Sequence, residues 1–456
     1  MKNRVFFYNA VILTVSSVII RLFNIWFRTL ISGLIGASGM GLYQLIFSIF
    51  ALGIILCTSG IGFAVTRLVA EGHGTRHAVR LCLGCALSLS LAASAVLFFG
   101  ADFIAAKWIN SPSAAYPIRL LMPGLPFISV CACLRGYFIA IRNTVVPVCG
   151  DFLEQSATIG ATLILLKLVS PMEALMLGST LGEVISFLYM VLLYRIFIRR
   201  KNFPKRKAEP VFGRIIHIAA PVLGGTFLRG LFGSVENILI PRGLRKNGSD
   251  AQSSLAQYGV MQGMVMPILL FPSAFLSSLA VLLVPEMAEA NAAGNQKTIQ
   301  RAAARSIRFT LAFSFFVTTL LIVFADDLGM AFYHNTQAGT LLRVMAPIVP
   351  LMYLDSVVDG MLKGLDQQFY SMTYNFTDSI MRVLLVATTI PAAGMKAYIA
   401  ILFLSEIFNA SLSINRLLKV TSLEVDITGW ILTPAVAAAL LYYVLILARR
   451  ILFSGV

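Results

Sequence analysis

The chain has 456 residues, of which 58% are hydrophobic and only 12% charged, and it carries a formal net charge of +16. A soluble domain averages about 25% charged residues, so the composition excludes an ordinary soluble enzyme and predicts a polytopic membrane protein. The excess of 36 basic over 20 acidic residues follows no nucleic-acid motif, which leaves membrane topology and anionic lipid as its explanation.

A spanning helix needs about 20 mostly apolar residues. Apolar runs bounded by charge or Gly/Pro predict spans at 5–34, 41–68, 80–105, 116–141, 146–169 and 173–197. A second set follows at 212–240, 255–285, 305–325, 340–363, 369–393 and 397–419, with an additional span at 428–449. With a cytoplasmic N-terminus, most basic residues fall in cytoplasmic turns, the largest group running from Arg195 to Arg214. Arg449 and Arg450 are the exception, since the last span carries them outside. The apolar run after Lys2 and Arg4 continues to residue 34 without a small-residue cleavage pattern, so no cleavable signal peptide is expected.

The halves repeat one another. Arg119, Pro123, Pro126 and Gly136 recur at a fixed offset as Arg343, Pro347, Pro350 and Gly360, Phe152 recurs as Phe376, and Glu183 recurs as Glu406 one residue earlier. The expected fold is therefore all-α: about twelve to fourteen transmembrane helices in two six-helix lobes related by a pseudo-two-fold along the membrane normal. The lobes are placed at 1–198 and 214–420, joined by a basic cytoplasmic linker at 199–213, with 421–456 as an added segment. Pro123, Pro126, Pro347 and Pro350 predict paired kinks at the outer mouth, and Gly136 and Gly360 predict close helix approach. The stretch 241–254 is expected to be the longest and most mobile outer loop.

Charges inside spans cost about 2.5–3.5 kcal/mol on insertion scales, which makes them functional candidates. Arg21 and Arg28 stand two helical turns apart in the first span, as do Arg229 and Glu236 in the seventh, and one offset maps the first pair onto the second. The functional reading is a hydrated cationic cavity in which Arg28 and Arg229 hold a phosphate-bearing headgroup, Arg21 is secondary and Glu236 supplies a counter-charge. Snorkelling of Arg21 and Arg28 to the interface is the competing reading. Asp378 and Arg382 are expected to pair within one helix, Asp151 and Glu154 to favour a helix N-terminus, and Glu183 and Glu406 to pack. The Cys82-x2-Cys85 pair reads as buried small hydrophobes, and His73 and His77 beside Glu71 as solvated groups, so no metal site is expected. No phosphate loop, clustered catalytic acids or catalytic loop domain points to an enzyme, and no catalytic residue is assigned.

The stretch Arg28-Thr-Leu-Ile-Ser-Gly-Leu-Ile-Gly-Ala-Ser-Gly-Met-Gly-Leu-Tyr-Gln44, then Ser59-Gly-Ile-Gly and Arg67-Leu-Val-Ala-Glu71, resembles the opening of the stage V sporulation protein B family. Ile240-Pro-Arg-Gly-Leu, Gly263-Met-Val-Met-Pro267 and Leu283-Val-Pro-Glu-Met-Ala-Glu-Ala290 are similar to its seventh and eighth spans. That family is a polysaccharide-transporter branch of the multidrug/oligosaccharidyl-lipid/polysaccharide (MOP) exporter superfamily. The resemblance implies a monomeric alternating-access flippase in the bacterial cytoplasmic membrane, without a cofactor but with an unidentified coupling ion. Its cargo would be a lipid-linked oligosaccharide or lipid II, as in flippases of the MurJ kind, with membrane lipids and no nucleic acid as its other partners. The chain departs from the MurJ pattern in having no Arg midway through the second span, Arg67 lying near its inner end. The alternatives are a cation-coupled multidrug antiporter of the same superfamily and a non-transporting scaffold for wall or spore-coat assembly.

Overall fold

A computed structural model describes residues 2–70, 76–141, 143–200 and 211–453. The described residues are helical nearly throughout. Among the described residues, eight helices are long and apolar enough to cross a membrane, or nine counting the bent pair Pro112–Leu121 and Gly124–Ala140. Two of the longest are each a pair of spans divided by a glycine. Lys2–Ala70 breaks at Gly36 (φ 67°, ψ −177°) and Gln368–Thr421 at Gly394 (φ 62°, ψ −141°), backbone conformations that side chains with a Cβ avoid. The basic linker expected at 199–213 falls mostly on residues 201–210, which with His73 and Glu71 lie outside the described residues.

The chain groups into two compact units, one of Met1–Phe27 and Leu42–Ile238, the other of Arg28–Gly41 and Leu239–Val456. These units follow packing, and their boundaries fall within helices rather than at the linker. In unit one a buried core gathers Leu68, Val79, Cys82, Leu134, Tyr137 and Phe138. Edge-on ring contacts hold it, with Tyr137 5.1 Å from Tyr194 and Phe138 5.5 Å from Phe197. Ser129 Oγ donates to the carbonyls of Cys57 and Ala86, both at 3.1 Å. Such interhelical bonds supply specificity where lipid removes the hydrophobic drive between helices. The last helix, Thr433–Phe453, packs in unit two against Gln296–Val323. Its Arg449 donates to the Val323 carbonyl at 3.0 Å and to Asp327 at 2.9 Å, so the cation has partners within the unit.

Both proline pairs break their helices. Gly124–Ala140 follows a 40° bend after Leu121, and Thr336–Met345 passes through a short 3-10 turn, Ala346–Ile348, into Val349–Gly364. A proline cannot donate to the carbonyl four residues earlier, so Met122 accepts instead from the Leu125 backbone at 3.1 Å and Ala346 from the Val349 backbone. Hydroxyls at matching repeat positions add a second bond to each carbonyl: Ser94 Oγ donates to Met122 at 2.9 Å and Thr318 Oγ1 to Ala346 at 3.4 Å. Gly136 lies where a Cβ would meet the Gly62 carbonyl and Thr66 Oγ1, and Gly360 where it would meet Ala280, so each sits at a close helix crossing.

Two local expectations need correction. The loop expected at 241–254 is mostly helix: Val211–Lys246 runs through Pro241, and only residues 247–250 separate it from Ala251–Tyr258. That turn is built and capped. Asn247 donates to the Pro391 carbonyl at 3.2 Å, and the Asp250 carboxylate accepts from the backbone of Gln252 and Ser253. The second correction concerns Asp151 and Glu154. The first turn of Val145–Leu165 contains no acid, and Asp151, well inside the helix, pairs with Arg135 of Gly124–Ala140. An interhelical partner, not the helix dipole, accounts for it.

Candidate functional site

The four proposed binding residues divide between the units. Arg21, Arg229 and Glu236 belong to unit one and Arg28 to unit two. Val211–Lys246 carries Arg229 exposed and Glu236 only 6% exposed. Its placement is set by small residues and short bonds. Gly230 closes on Ile55, Gly60 closes on Ala219, Ser234 Oγ donates to the Ser48 carbonyl at 3.0 Å, and Asn237 donates to Ser48 Oγ at 3.1 Å. The seventh span therefore gives its residues as far as Ile238 to unit one, beside the second span. Arg229 has no carboxylate partner, and Arg21 is half-buried on the first span of the same unit.

In unit two Arg28 is half-buried and forms no ion pair with any of the described residues. One turn along lies Ser32, 4% exposed, whose hydroxyl has no hydrogen-bond partner. Arg28 acts electrostatically on Tyr333, at the end of Ala325–Tyr333 and outside the spans. Burial pushes the Tyr333 phenol up to about 12 while the Arg28 guanidinium pulls it the other way. The Tyr333 hydroxyl is buried and, like that of Ser32, unpartnered. Sequence reading missed both residues. The signal was the repeat itself, because Tyr333 occupies the position that Ile109 holds in the first copy.

Each unit also holds an interhelical polar cluster at matching repeat positions. In unit one Arg135 meets Asp151, with Glu154 and Glu183 beside them. In unit two Asn409 donates to Asp355 at 3.0 Å, Lys363 pairs with Asp359 at 2.6 Å, and Ser405 donates to Asp378 at 2.6 Å. Glu183 and Glu406, expected to pack, thus stand in polar company, Glu406 in the field of Asp355, Arg382 and Asp378. Asp355 and Asp359 went unread in the sequence, although their spacing with Lys363 places all three on one helix face. Among the described residues no group of three or more His, Cys, Asp or Glu is arranged to hold a metal ion.

The proline-kinked ends of the two repeat copies match closely. Arg119 pairs with Asp102, and Arg343 with Asp326 at 2.5 Å, at equivalent positions of the repeat. Left-handed residues, Asn110 (φ 55°) and His334 (φ 49°), close the turn between the paired elements in both copies.

An all-helical chain with doubled, proline-kinked segments between long apolar spans is the architecture of a polytopic transporter, and comparison with known proteins assigns it to the MOP class. The chain belongs to the polysaccharide biosynthesis protein family, which matches residues 6–291, and the MatE family matches residues 248–388. It is similar to stage V sporulation protein B of Bacillus subtilis (strain 168), 25% identical over 455 residues that cover 96% of this chain and 88% of the relative. It is also similar to the lipid II flippase MurJ of the same organism, 20% identical over 398 residues, 79% of this chain and 73% of the relative. Its fold is that of a multidrug resistance MATE family transporter of the MOP superfamily solved in an inward-facing conformation, with TM-score 0.69 and 15% identity over 90% of this chain and all of that one. The protein is thus a multi-pass membrane transporter of the polysaccharide branch of the MOP superfamily.

Proposed function

We propose that this transporter is a flippase for an undecaprenyl-pyrophosphate-linked cell-wall or polysaccharide precursor, acting by alternating access in the bacterial cytoplasmic membrane with its N-terminus inside. The observation that carries the reading is the unpaired Arg28 in an apolar span, with Arg229 likewise unpaired in unit one. A guanidinium is permanently charged and its planar fork matches phosphate oxygens, so a diphosphate is the natural counter-ion for such groups. Arg28 and Arg229 would engage the pyrophosphate, Arg21 would be secondary, and Glu236 would be the counter-charge. The lipid tail would stay in the bilayer while the head crosses. The relatives named for sporulation and for lipid II flipping support a lipid-linked saccharide as cargo. No reaction is catalysed in this reading, and ion or membrane-potential coupling supplies the drive.

The test is translocation of a fluorescent prenyl-pyrophosphate saccharide by the protein reconstituted in vesicles. Wild type should move it, and Arg28→Ala should lose at least tenfold in rate. No movement by wild type, or equal rates for Arg28→Ala, sinks the proposal. A second reading, a cation-coupled drug antiporter, draws on the MatE match and on the acidic cluster Asp355, Asp359, Asp378 and Glu406 in unit two. It predicts drug resistance on expression that Asp355→Asn abolishes and Arg28→Ala spares.

A further inference from the structure

Gln296–Val323 opens with Lys297, Arg301, Arg305 and Arg308, spaced so that they stack along one helix face. All four are exposed, and none forms an ion pair with any of the described residues. The helix has no acid in its first turn, although a helix N-terminus favours anions and repels cations. Like charges one turn apart weaken the helix further. Glu286 and Glu289 on the preceding helix, Ser273–Ala292, are exposed and do not pair with the row. A row that works against its own helix calls for an anion from outside the chain.

Packing holds this row outward. Ile299, Ala302, Ala303, Ser306, Ile307 and Thr310 take the buried face. Gln296 donates to the Thr421 carbonyl at 2.8 Å and Gln300 to the same carbonyl at 3.0 Å, which fixes the start of the helix against the end of Gln368–Thr421. Beyond Arg308 the exposed face turns apolar, with Phe309 55% exposed and Phe316 47%. Phe309 stacks on Phe313, and Phe275 of Ser273–Ala292 lies 6.3 Å from Phe313 between ring centroids. The first copy of the repeat lacks the row. Its equivalents of Arg301, Arg305 and Arg308 are His77, Leu81 and Gly84, while Arg76 and Arg80 stand at the places of Gln300 and Ala304.

We propose that this face of unit two is a docking site for an anionic phospholipid. The headgroup phosphate meets the cations, and the acyl chains lie along Phe309, Phe316 and Phe275. Arginine forks take phosphate oxygens two at a time. Cations followed within about two turns by exposed aromatics match the passage from headgroup to hydrocarbon. A soluble polyanion leaves those phenylalanines without a partner. With the N-terminus inside, the row lies in the cytoplasmic leaflet, where anionic lipid gathers. The inference goes beyond the flippase reading and does not depend on its cargo.

The test titrates full-length protein in detergent with dioleoylphosphatidylglycerol or dioleoylphosphatidylcholine and counts bound lipid by native mass spectrometry. Wild type should bind the anionic lipid about tenfold or more tightly than the zwitterionic one. The triple variant Arg301→Gln, Arg305→Gln, Arg308→Gln should lose that preference, at roughly fivefold per cation. A charge-matched control, Arg80→Gln, Arg195→Gln, Lys419→Gln, removes exposed cations from other helices and should keep it. Equal losses in the two variants, or wild-type affinity in the first, overturn the site. Glycerol 1-phosphate should fail to displace the lipid; displacement makes this a soluble-anion site and overturns the lipid. Without anionic lipid the first variant should melt no lower than wild type, because it relieves repulsion, and adding the lipid should raise only the wild-type melting temperature. An equal rise in both overturns the proposal. If the triple variant cannot be recovered folded, wild-type affinity in Arg305→Gln alone overturns it instead.

Discussion

Segments 94–126 and 318–350 are two copies of one design, and they differ at a few polar positions. Both copies pair an Arg with an upstream Asp, both close a turn with a left-handed residue, and in both a hydroxyl from the preceding span donates to a carbonyl at the proline kink. Where the first copy buries Ile109, the second buries the Tyr333 phenol. The second copy alone carries a further acid, Asp327, which Arg449 of the last helix engages. What repeats is therefore the scaffold, held by the same backbone necessities. What diverges is polar: a buried phenol in place of Ile109, and an acid that the last helix engages.

That contrast can be broken by experiment. The largest effect is expected from Ile109→Tyr, which puts the second copy's phenol into the first. A larger, polar side chain forced into the place of a fully packed Ile109 should destabilise the protein by about 1–3 kcal/mol in reversible unfolding. A neutral outcome would mean that the phenol needs no special setting. Next come the hydroxyls that donate to the Met122 and Ala346 carbonyls at the proline kinks. Ser94→Ala should cost about 1–2 kcal/mol, and Thr318→Val, whose bond is longer at 3.4 Å, should cost less. The reverse order would separate the two copies in a way their shared geometry does not.

The Asp–Arg pairs should matter less still. Asp102 is 69% exposed and Asp326 50%, so Arg119→Gln and Arg343→Gln should each cost about 0–1 kcal/mol, with salt diminishing the difference. The smallest effect belongs to Asp250, which caps Ala251–Tyr258 in a turn that the first copy lacks. Hydrogen bonds from Ser253 and Gln252 hold its carboxyl below the usual carboxylate range. The capping contribution is therefore present above the unfolded value of about 4 and is lost as pH falls through the lowered one. Asp250→Asn should flatten the acid limb of a melting-temperature profile below about pH 4 and leave neutral pH nearly unchanged.

The sequence by itself determined the all-helical membrane class, the duplication and the positions of the kinks. Each rests on a signal local to the chain: mean hydropathy over a span, a repeated Arg-Pro-Pro-Gly phrase, and the donor that proline lacks. It also marked Arg21, Arg28, Arg229 and Glu236, because a charge in an apolar run is visible without a structure. Only the tertiary structure decided their company. Asp151 needed the neighbouring Arg135, Pro241 needed packing that keeps a helix intact, and Tyr333 needed the fold to bring it to a cation far away in the chain. Helix rotation and tilt are set by close packing between helices, at crossings such as Gly136 on Gly62 and Gly230 on Ile55. Hydropathy averages over those rotations, so it reports which segments lie in the membrane and leaves open which polar groups meet there.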